Sequence, residues 1–272
     1  MTFRDKLEQT TQRNNSLLCV GLDPDPGRLP QAVQGEDDPV LAFNRRIIDA
    51  TADLVCAYKP NFAFYGALGS TGFDTLKRTI EHVPEGIPVL IDAKVGDIDS
   101  TAARYAHMFF AELGGDALTV NPYMGGDAVA PFLAYPDKGI FLVCLTSNPG
   151  ADDFEKQPLA DGPLYEYVAR KGMTWDKGGQ IGLVVGATQP ELIGGMRKLA
   201  PDVPFLVPGV GAQGGDLEAA VRYGQDGRGQ GMLINASRGV TYAGSGDDFD
   251  KAARAAAVEL RDGINQYRVV RA

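Results

Sequence analysis

Short apolar runs recur along the whole chain, and segments with a helical pattern of apolar positions separate them. Each run is almost continuously apolar, which is typical of parallel strands that are covered on both faces. The eight runs span residues 17–22, 54–58, 89–92, 117–120, 140–145, 181–185, 205–207 and 232–235. The helix-like segments span residues 2–14, 39–52, 61–80, 99–113, 125–134, 162–177, 189–199, 215–223 and 247–266.

This alternation of eight strands and their helices predicts an α/β fold, the (β/α)8 or TIM barrel. We expect residues 1–272 to form a single barrel domain, with residues 2–14 as an extra N-terminal helix and Thr2 as its N-cap. An open, doubly wound sheet is the alternative fold. The barrel is favoured because the strand count is eight and no Gly-x-Gly-x-x-Gly turn follows the first run.

Composition narrows the possible partners. The chain of 272 residues is 44% hydrophobic and 22% charged, so it can bury a large core. Its net charge of −9 argues against nucleic acid or an anionic membrane as the main partner, although a local basic pocket can still hold one phosphate. No run approaches the roughly eighteen apolar residues that a membrane-spanning helix needs.

Cysteine and histidine usage bears on the redox setting and on metal binding. Cys19, Cys56 and Cys144 each lie inside an apolar run, so we expect buried thiols in a reducing cytoplasm rather than disulfides. The chain has only 2 histidines and no Cys-x-x-Cys pair, which gives a metal site little support.

Charged residues collect where the second and third predicted strands end. The apolar Leu90-Ile91 pair is followed by Asp92, Lys94 and Asp97, and Lys59 ends the second run. Side chains alternate along a strand, so Asp92 and Lys94 should point the same way. Active sites of these barrels lie at the C-terminal ends of the strands, which makes this cluster a candidate site. A structural ion-pair network that caps the barrel is the alternative interpretation.

The last two strand ends have the composition of an anion site. A glycine-rich loop over residues 208–215 precedes a predicted helix, and Arg238-Gly239 follows the eighth strand. Backbone N–H groups at a helix start attract anions, and an arginine can bind a phosphate with two hydrogen bonds. Alternatively, the glycines only form tight turns and Arg238 makes a surface salt bridge. Asp23 and Ser147, at two further strand ends, fit a binding role and a turn- or helix-capping role equally well.

The motif Asp92-x-Lys94-x-x-Asp97, followed by Ile98 and Thr101, resembles the signature of the orotidine 5′-phosphate decarboxylase family. The length resembles that of the longer bacterial subfamily called type 2. One departure is Val95, where that subfamily usually has arginine. Further segments resemble those of the family in its order, namely residues 21–24, 59–61, 121–125, 146–150, 208–213 and 237–239.

The resemblance implies an enzyme of pyrimidine biosynthesis, a carbon–carbon lyase that converts orotidine 5′-monophosphate to UMP and CO2 without metal or organic cofactor. It implies that Lys94 stabilises a carbanion at C6 of the pyrimidine and then protonates it. Asp92 would face the substrate carboxylate, and Lys59 would hold Asp92 and a ribose hydroxyl.

The same resemblance implies a homodimer in which Asp97 and Thr101 reach the partner subunit's site. Asp97 would complete an alternating Lys-Asp-Lys-Asp array. The remaining roles that it implies are ribose binding by Asp23 and Thr101, recognition of the pyrimidine edge by Ser147, and phosphate binding by Gln213, Arg238 and Gly239.

Two other functions stay open at this stage. A Mg²⁺-dependent sugar-phosphate decarboxylase or aldolase of the same barrel superfamily would share the Asp92 motif and the phosphate loops. Mg²⁺ prefers oxygen ligands, so such a site should carry a carboxylate near Asp92, where this chain has Lys59. A non-catalytic barrel that binds a phosphate ligand would need the anion loops but not the charged cluster.

Overall fold

The fold was analysed in a computed structural model that describes residues 1–176, 178–187, 189–210 and 216–269. Within these ranges there are ten strands, of which eight form one parallel sheet and two form a small antiparallel hairpin, β6 with β7. They are β1 Leu18–Leu22, β2 Ala57–Pro60, β3 Leu90–Val95, β4 Ala117–Val120, β5 Gly139–Leu145, β6 Pro158–Leu159, β7 Gly162–Pro163, β8 Ile181–Val185, β9 Phe205–Pro208 and β10 Met232–Ala236.

The parallel sheet is a nearly closed barrel. Its strand order is β2-β1-β10-β9-β8-β5-β4-β3, so the two ends of the order are the strands that neighbour each other in sequence. Parallel bridges between Tyr58 and Val89 and between Asn61 and Asp92 join those two strands. The predicted (β/α)8 barrel is therefore confirmed, and all eight predicted runs contribute a barrel strand.

Helices alternate with the strands along the chain. One of them, α1, begins after Thr2, the predicted N-cap, and the Thr2 hydroxyl accepts a hydrogen bond from the Asp5 N–H in a capping box. The helices are α1 Phe3–Arg13, α2 Pro39–Thr51, α3 Phe62–Gly66, α4 Gly72–His82, α5 Asp99–His107, α6 Gly126–Leu133, α7 Leu164–Met173, α8 Pro190–Leu199, α9 Leu217–Gly224, α10 Arg238–Thr241 and α11 Phe249–Tyr267. Shorter 3₁₀ turns lie at Pro26–Arg28, Gln31–Val33, Gly69–Thr71 and Pro149–Asp152, and a π-helical turn lies at Met108–Glu112.

One predicted helix is wrong in detail. The segment 61–80 forms two helices, α3 and α4, with the 3₁₀ turn Gly69–Thr71 between them. Gly69 has φ +75°, a left-handed conformation that glycine adopts without a steric penalty. A Cβ atom on Gly72 would lie 1.8 Å from the Tyr65 carbonyl oxygen, so the two helices can meet only where this side chain is absent.

The core has two layers that follow the inward and outward alternation of the strands. A large cluster fills the space between the sheet and the helices. A smaller cluster includes Cys19, Phe141 and Leu233 from the strands together with Phe3 and Leu7 of α1. Phe3 packs edge-to-face on Phe141, with ring centroids 5.6 Å apart. Helix α1 therefore packs on the barrel at the end where the strands begin, and the C-terminal strand ends remain the open end.

The three cysteines are buried and unpaired, as predicted. Burial raises the pKa of the Cys19 thiol to about 12, so this group stays protonated near neutral pH. No helix in the described ranges is long and apolar enough to cross a bilayer.

Candidate active site

A cleft of about 1090 Å³ opens at the C-terminal ends of the strands. It runs from Lys59 and Asp92, at the ends of β2 and β3, to the turn between β10 and α10. Residues of both predicted regions line it, namely Asp23, Lys59, Asn61, Asp92, Gly209, Arg238 and Gly239. The charged strand ends and the anion-type turn therefore belong to one cavity.

Lys59 and Lys94 both lie within hydrogen-bond distance of Asp92, and we call these three residues the charged cluster. Lys59 Nζ donates to Asp92 Oδ2 at 2.9 Å, and Lys94 Nζ donates to Asp92 Oδ1 at 2.5 Å. The Lys59 side chain is 4% exposed and that of Asp92 is 8% exposed, whereas that of Lys94 is 45% exposed. Only Lys94 therefore has much of its ammonium side chain free to meet a ligand.

Electrostatics keep the buried members of the cluster ionised. Burial alone would raise the pKa of the Asp92 carboxyl, but the ammonium groups of Lys59 and Lys94 outweigh it and hold that pKa well below its usual range. Burial alone would lower the pKa of Lys59, and the negative charges of Asp92 and Asp23 outweigh it, so the net shift is upward. The charged cluster itself, with two ammonium groups and one carboxylate, carries one formal positive charge, and Asp23 adds a further carboxylate to the same end of the cleft.

The backbone at Lys94 departs from a regular strand. Lys94 has φ +48°, in the left-handed region that residues other than glycine seldom adopt. The pairing of β3 with β4 also shifts register between Ile91 and Val95. The predicted meeting of Asp92 and Lys94 is thus confirmed, but a bulge brings them together rather than simple alternation. Val95 lies beyond the bulge, pairs with Val120 and packs against the large core cluster.

Sequence reasoning missed Thr119, the residue that fills this bulge. Its hydroxyl donates to Asp92 Oδ1 at 2.9 Å, and its side chain is completely buried. The available signal was its position as the polar member of the apolar run 117–120.

The other end of the cleft, at the turn between β10 and α10, is open, and its described residues form few hydrogen bonds. Arg238 is the first residue of α10 and is exposed, and no ion pair or side-chain hydrogen bond involves it among residues 1–176, 178–187, 189–210 and 216–269. A Cβ atom added to Gly239 would meet open space. Gly209, with φ +93°, turns the chain after β9. Gln213, the third predicted phosphate ligand, lies outside the described residues.

A second arginine near this end was also missed. The Arg28 guanidinium stacks on the Tyr242 ring at 4.2 Å from its centroid, and both residues line the cleft. The Tyr242 hydroxyl accepts a hydrogen bond from the Asp25 N–H at 2.7 Å. The signal was weak, since Arg28 lies in a Pro- and Gly-containing turn after the first strand.

Asp23 and Ser147 follow β1 and β5. Asp23 lines the cleft, and its Oδ1 accepts from the Asn61 N–H at 3.2 Å, which ties the ends of β1 and β2 together. Ser147 is half-buried next to Thr146, whose backbone N–H donates to the Glu155 carboxylate at 2.7 Å. A Cβ atom on Gly186 would lie 2.9 Å from the Ser147 nitrogen, so β8 approaches this loop closely.

Asp97 and Thr101 are not brought to the charged cluster within this chain. The Asp97 Oδ1 accepts from the adjacent Ile98 N–H, and in the part of the chain that the structure describes Asp97 forms no ion pair. Thr101 is exposed on α5. The large apolar side chains of Ile98, Tyr123 and Met124 are exposed in the segments that follow β3 and β4.

Comparison with known proteins identifies the family. The model of the orotidine 5′-phosphate decarboxylase / HUMPS family matches residues 16–255. The chain belongs to this family. The match includes the charged cluster, Asp97, and the turn that carries Arg238.

Full-length relatives of the family bear the name orotidine 5′-phosphate decarboxylase. The protein of that name from Dechloromonas aromatica is 53% identical over 272 residues, which cover 98% of this chain and 100% of the relative. The one from Thermomicrobium roseum is 48% identical over 271 residues, covering 98% and 96% of the two chains. The predicted family and decarboxylase activity are therefore confirmed.

Solved structures of the family agree with the fold. The OMP decarboxylase of Leishmania donovani has a TM-score of 0.88 and 42% sequence identity, with 98% of this chain and 99% of that chain covered. The UMP synthase of the same organism has a TM-score of 0.89 and 44% identity, with 98% of this chain but only 57% of that chain covered. The likeness to the synthase is thus confined to part of that longer protein.

The described residues do not provide a set of side-chain ligands for a metal ion. No group of three or more His, Cys, Asp or Glu side chains in those ranges is placed to hold a metal ion. The position beside Asp92 is occupied by the Lys59 ammonium, which repels cations.

Proposed function

We propose that the charged cluster carries out cofactor-independent decarboxylation of orotidine 5′-monophosphate, giving UMP and CO2. The observation that carries this proposal is the prearranged Lys59–Asp92–Lys94 contact at one end of a cleft whose other end presents Arg238. The distances put the lysine charges on either side of a single buried carboxylate.

The proposed step breaks the bond between C6 of the pyrimidine and the carboxylate carbon. CO2 leaves without the bonding electron pair, which stays on C6 as a carbanion. Lys94 Nζ then donates a proton to C6, giving UMP and a neutral amine that water reprotonates. The positive charge of the Lys94 ammonium lowers the energy of the developing carbanion, and fixed charges in a partly dry site are effective at this.

Asp92 and Lys59 hold Lys94 in place and set its surroundings. Asp92 is buried and ionised, so it attracts the nearby Lys94 Nζ and holds it at one position. Lys59, more deeply buried, neutralises Asp92 from the other side and lies in the cleft wall, where we expect it to bind a ribose hydroxyl.

Substrate binding is proposed to use both cleft ends. Arg238 and the Gly239 N–H bind the 5′-phosphate, with Gln213 as a third ligand, because an unpaired guanidinium forms charge-assisted hydrogen bonds with phosphate. Asp23 accepts hydrogen bonds from ribose hydroxyls, and Ser147 reads the pyrimidine edge. Binding far from C6 then contributes to the reaction if it helps to close the site.

The proposed assembly is a homodimer in which Asp97 and Thr101 act on the partner subunit's site. Two features support it, the absence of an ion pair for Asp97 in the described part of this chain and the exposure of the large apolar side chains of Ile98, Tyr123 and Met124. A carboxylate supplied by the partner would also bring the net charge of the cluster to zero. Thr101 would bind a ribose hydroxyl across the interface.

We further propose that residues 1–272 form one domain and that the protein works in the cytoplasm. The continuous core cluster, which has members from β1 to α11, supports the first statement. The three buried, unpaired thiols support the second, since reducing compartments preserve such groups.

The decarboxylation proposal is tested by following the absorbance of orotidine 5′-monophosphate with purified protein in excess EDTA. We expect the full rate in chelator and one equivalent of CO2 per UMP formed. Activity that appears only after Mg²⁺ is added would instead support a metal-dependent reaction of the same barrel superfamily. Tight UMP binding without turnover would support a non-catalytic binding barrel.

The dimer proposal is tested by mixing two inactive variants, Lys94→Ala and Asp97→Ala. In a mixed dimer one site is doubly defective and the other is intact, so random exchange should restore about one quarter of the wild-type rate. No recovery after subunits have exchanged would show that Asp97 acts within its own chain, and an active Asp97→Ala variant would show that Asp97 is not needed.

A further inference from the structure

Thr119 lies at the single irregularity in the pairing of β3 with β4. Ile91 pairs with Leu118 and Val95 pairs with Val120, so residues 92–94 of β3 oppose Thr119 alone. A bulge of this kind leaves backbone N–H groups without ladder partners, and buried N–H groups need partners.

The Thr119 hydroxyl supplies those partners. The backbone N–H groups of Ala93 and Lys94 both donate to Thr119 Oγ1, each at 2.9 Å. Oγ1 in turn donates its proton to Asp92 Oδ1 at 2.9 Å. A hydroxyl offers one donor and two acceptor positions, so all three are used.

These three contacts fix the backbone turn at Lys94 and the position of the Asp92 carboxylate. Together these two features determine where Lys94 Nζ lies. Hydrogen bonds to two successive N–H groups hold the left-handed turn at Lys94, which costs energy for a side chain other than glycine. The hydrogen bond from Thr119 Oγ1 to Asp92 Oδ1 fixes the carboxylate, because Oδ1 is also the oxygen that accepts from Lys94 Nζ. Thr119 is 0% exposed, so water cannot replace its hydroxyl without opening the core.

We propose that Thr119 is a positioning residue for the proton-donating lysine. Through the bulge and through Asp92 it holds the Lys94 ammonium at the place where the carbanion forms, while it makes no contact with the substrate itself. The inference rests on the proposed role of the charged cluster and adds a residue outside the Asp-x-Lys-x-x-Asp motif. It predicts a loss of turnover with little loss of binding.

The test compares Thr119→Val, which keeps the shape and removes the hydroxyl, with Thr119→Ser, which keeps the hydroxyl. We expect Thr119→Val to lower kcat by about 10²-fold, as misplacement of a reacting group by about 1 Å does, with KM and UMP affinity within about threefold of wild type. Thr119→Ser should recover kcat to within about fivefold of wild type.

Thr10→Val is the matched control, since Thr10 is also 0% exposed and its hydroxyl also bonds to backbone, but it lies on α1 at the closed end of the barrel. We expect it to lower the melting temperature and leave kcat unchanged. If Thr119→Val does not fold, Thr119→Cys takes its place, because a thiol is a weaker hydrogen-bonding group of similar shape. Its kcat should then fall below that of Thr119→Ser.

Equal kcat for the serine variant and the valine or cysteine variant would overturn the inference, as would a fall in UMP affinity that parallels the fall in kcat. Absence of decarboxylation by the wild type and by Thr10→Val in the same assay would instead contradict the proposed function. The two failures are therefore distinguishable.

Discussion

The two ends of the cleft are built in opposite ways. At one end Asp92 accepts from Lys59, Lys94 and Thr119, so the groups proposed to act on C6 are held before any ligand arrives. At the other end Arg238 is exposed and forms no ion pair in the described part of the chain. The difference indicates that the charged cluster is preorganised, whereas the phosphate end is completed by its ligand.

This division makes physical sense for the proposed reaction. Charges that are already oriented need not reorganise as the carbanion forms, which is the main source of electrostatic catalysis. A phosphate ligand, by contrast, brings its own charge and can order an exposed arginine when it binds. Substitutions at the two ends should therefore change different kinetic constants.

Lys94→Ala should give the largest effect. It removes the proposed proton donor and one of the two positive charges, so we expect kcat to fall by about 10⁴-fold or more. UMP affinity should change by less than about tenfold, because the phosphate end is untouched. Initial rates and calorimetric UMP titrations measure the two quantities. Lys198→Ala, an exposed lysine on α8, is the control and should behave as wild type.

Lys59→Met should give the largest loss of stability. It leaves the buried Asp92 carboxylate with one ammonium partner instead of two, and breaking a buried pair in this way costs about 3–5 kcal/mol. Urea unfolding at pH 7 measures the loss, with Lys198→Met as the control. A change below about 0.5 kcal/mol, the size seen at exposed sites, would contradict the burial argument.

The pH dependence of that loss follows from the two shifted pKa values. The pKa of Asp92 in the folded protein lies below its value of about 3.9 in the unfolded chain. The contribution of Asp92 to folding stability is therefore fully present above the unfolded pKa and is lost as the pH falls through the folded pKa. The pKa of Lys59 in the folded protein lies above its value of about 10.4 in the unfolded chain. The contribution of Lys59 to folding stability is therefore fully present below the unfolded pKa and is lost as the pH rises through the folded pKa. We expect the difference in unfolding free energy between wild type and Lys59→Met to be largest between about pH 5 and pH 10.

Arg238→Ala should alter binding more than turnover. A charge-assisted hydrogen bond is worth about 1.5–3 kcal/mol, so KM should rise by about 10- to 100-fold while stability stays within about 0.5 kcal/mol of wild type. The ratio of UMP to uridine affinity isolates the phosphate contribution and should fall by the same factor. Arg45→Ala, an exposed arginine on α2, should leave that ratio unchanged. An unchanged ratio in Arg238→Ala would place the phosphate elsewhere.

Glu155→Gln should give the smallest effect. Its carboxylate accepts from the Thr146 N–H at 2.7 Å and from the Thr146 hydroxyl at 2.9 Å, which anchors the loop that carries Ser147. An amide keeps one acceptor oxygen, so we expect KM to rise by only about 3- to 10-fold. Steady-state kinetics measure this rise. A rise as large as that of Arg238→Ala would mean that this loop contributes as much to binding as the phosphate end.

The sequence predicts the barrel well because its buried parallel strands are continuous apolar runs. It also predicts the charged cluster, since carboxylate and ammonium groups have no packing role at the end of a core strand. Helix boundaries were less predictable, as the split at Gly69 shows, because a left-handed turn depends on close packing between distant segments. Arg28 and Tyr242 were missed for a similar reason, since their stacking joins segments more than 200 residues apart.

Thr119 was not predicted because one hydroxyl in an apolar strand has no distinctive pattern. Its role depends on the register shift between β3 and β4, and that shift is a property of the paired strands rather than of either sequence alone. Asp97 and Thr101 remain predictions, since their proposed partners lie on a second chain.

A pair of crystal structures, without ligand and with UMP, tests the central claim most directly. We predict that the side chains of Lys59, Asp92 and Lys94 superimpose within about 0.5 Å in the two states, as expected for a preorganised site. Arg238, in contrast, should move onto the phosphate in the UMP complex. A charged cluster that assembles only when UMP binds, with Lys94 away from Asp92 in the free protein, would contradict the account.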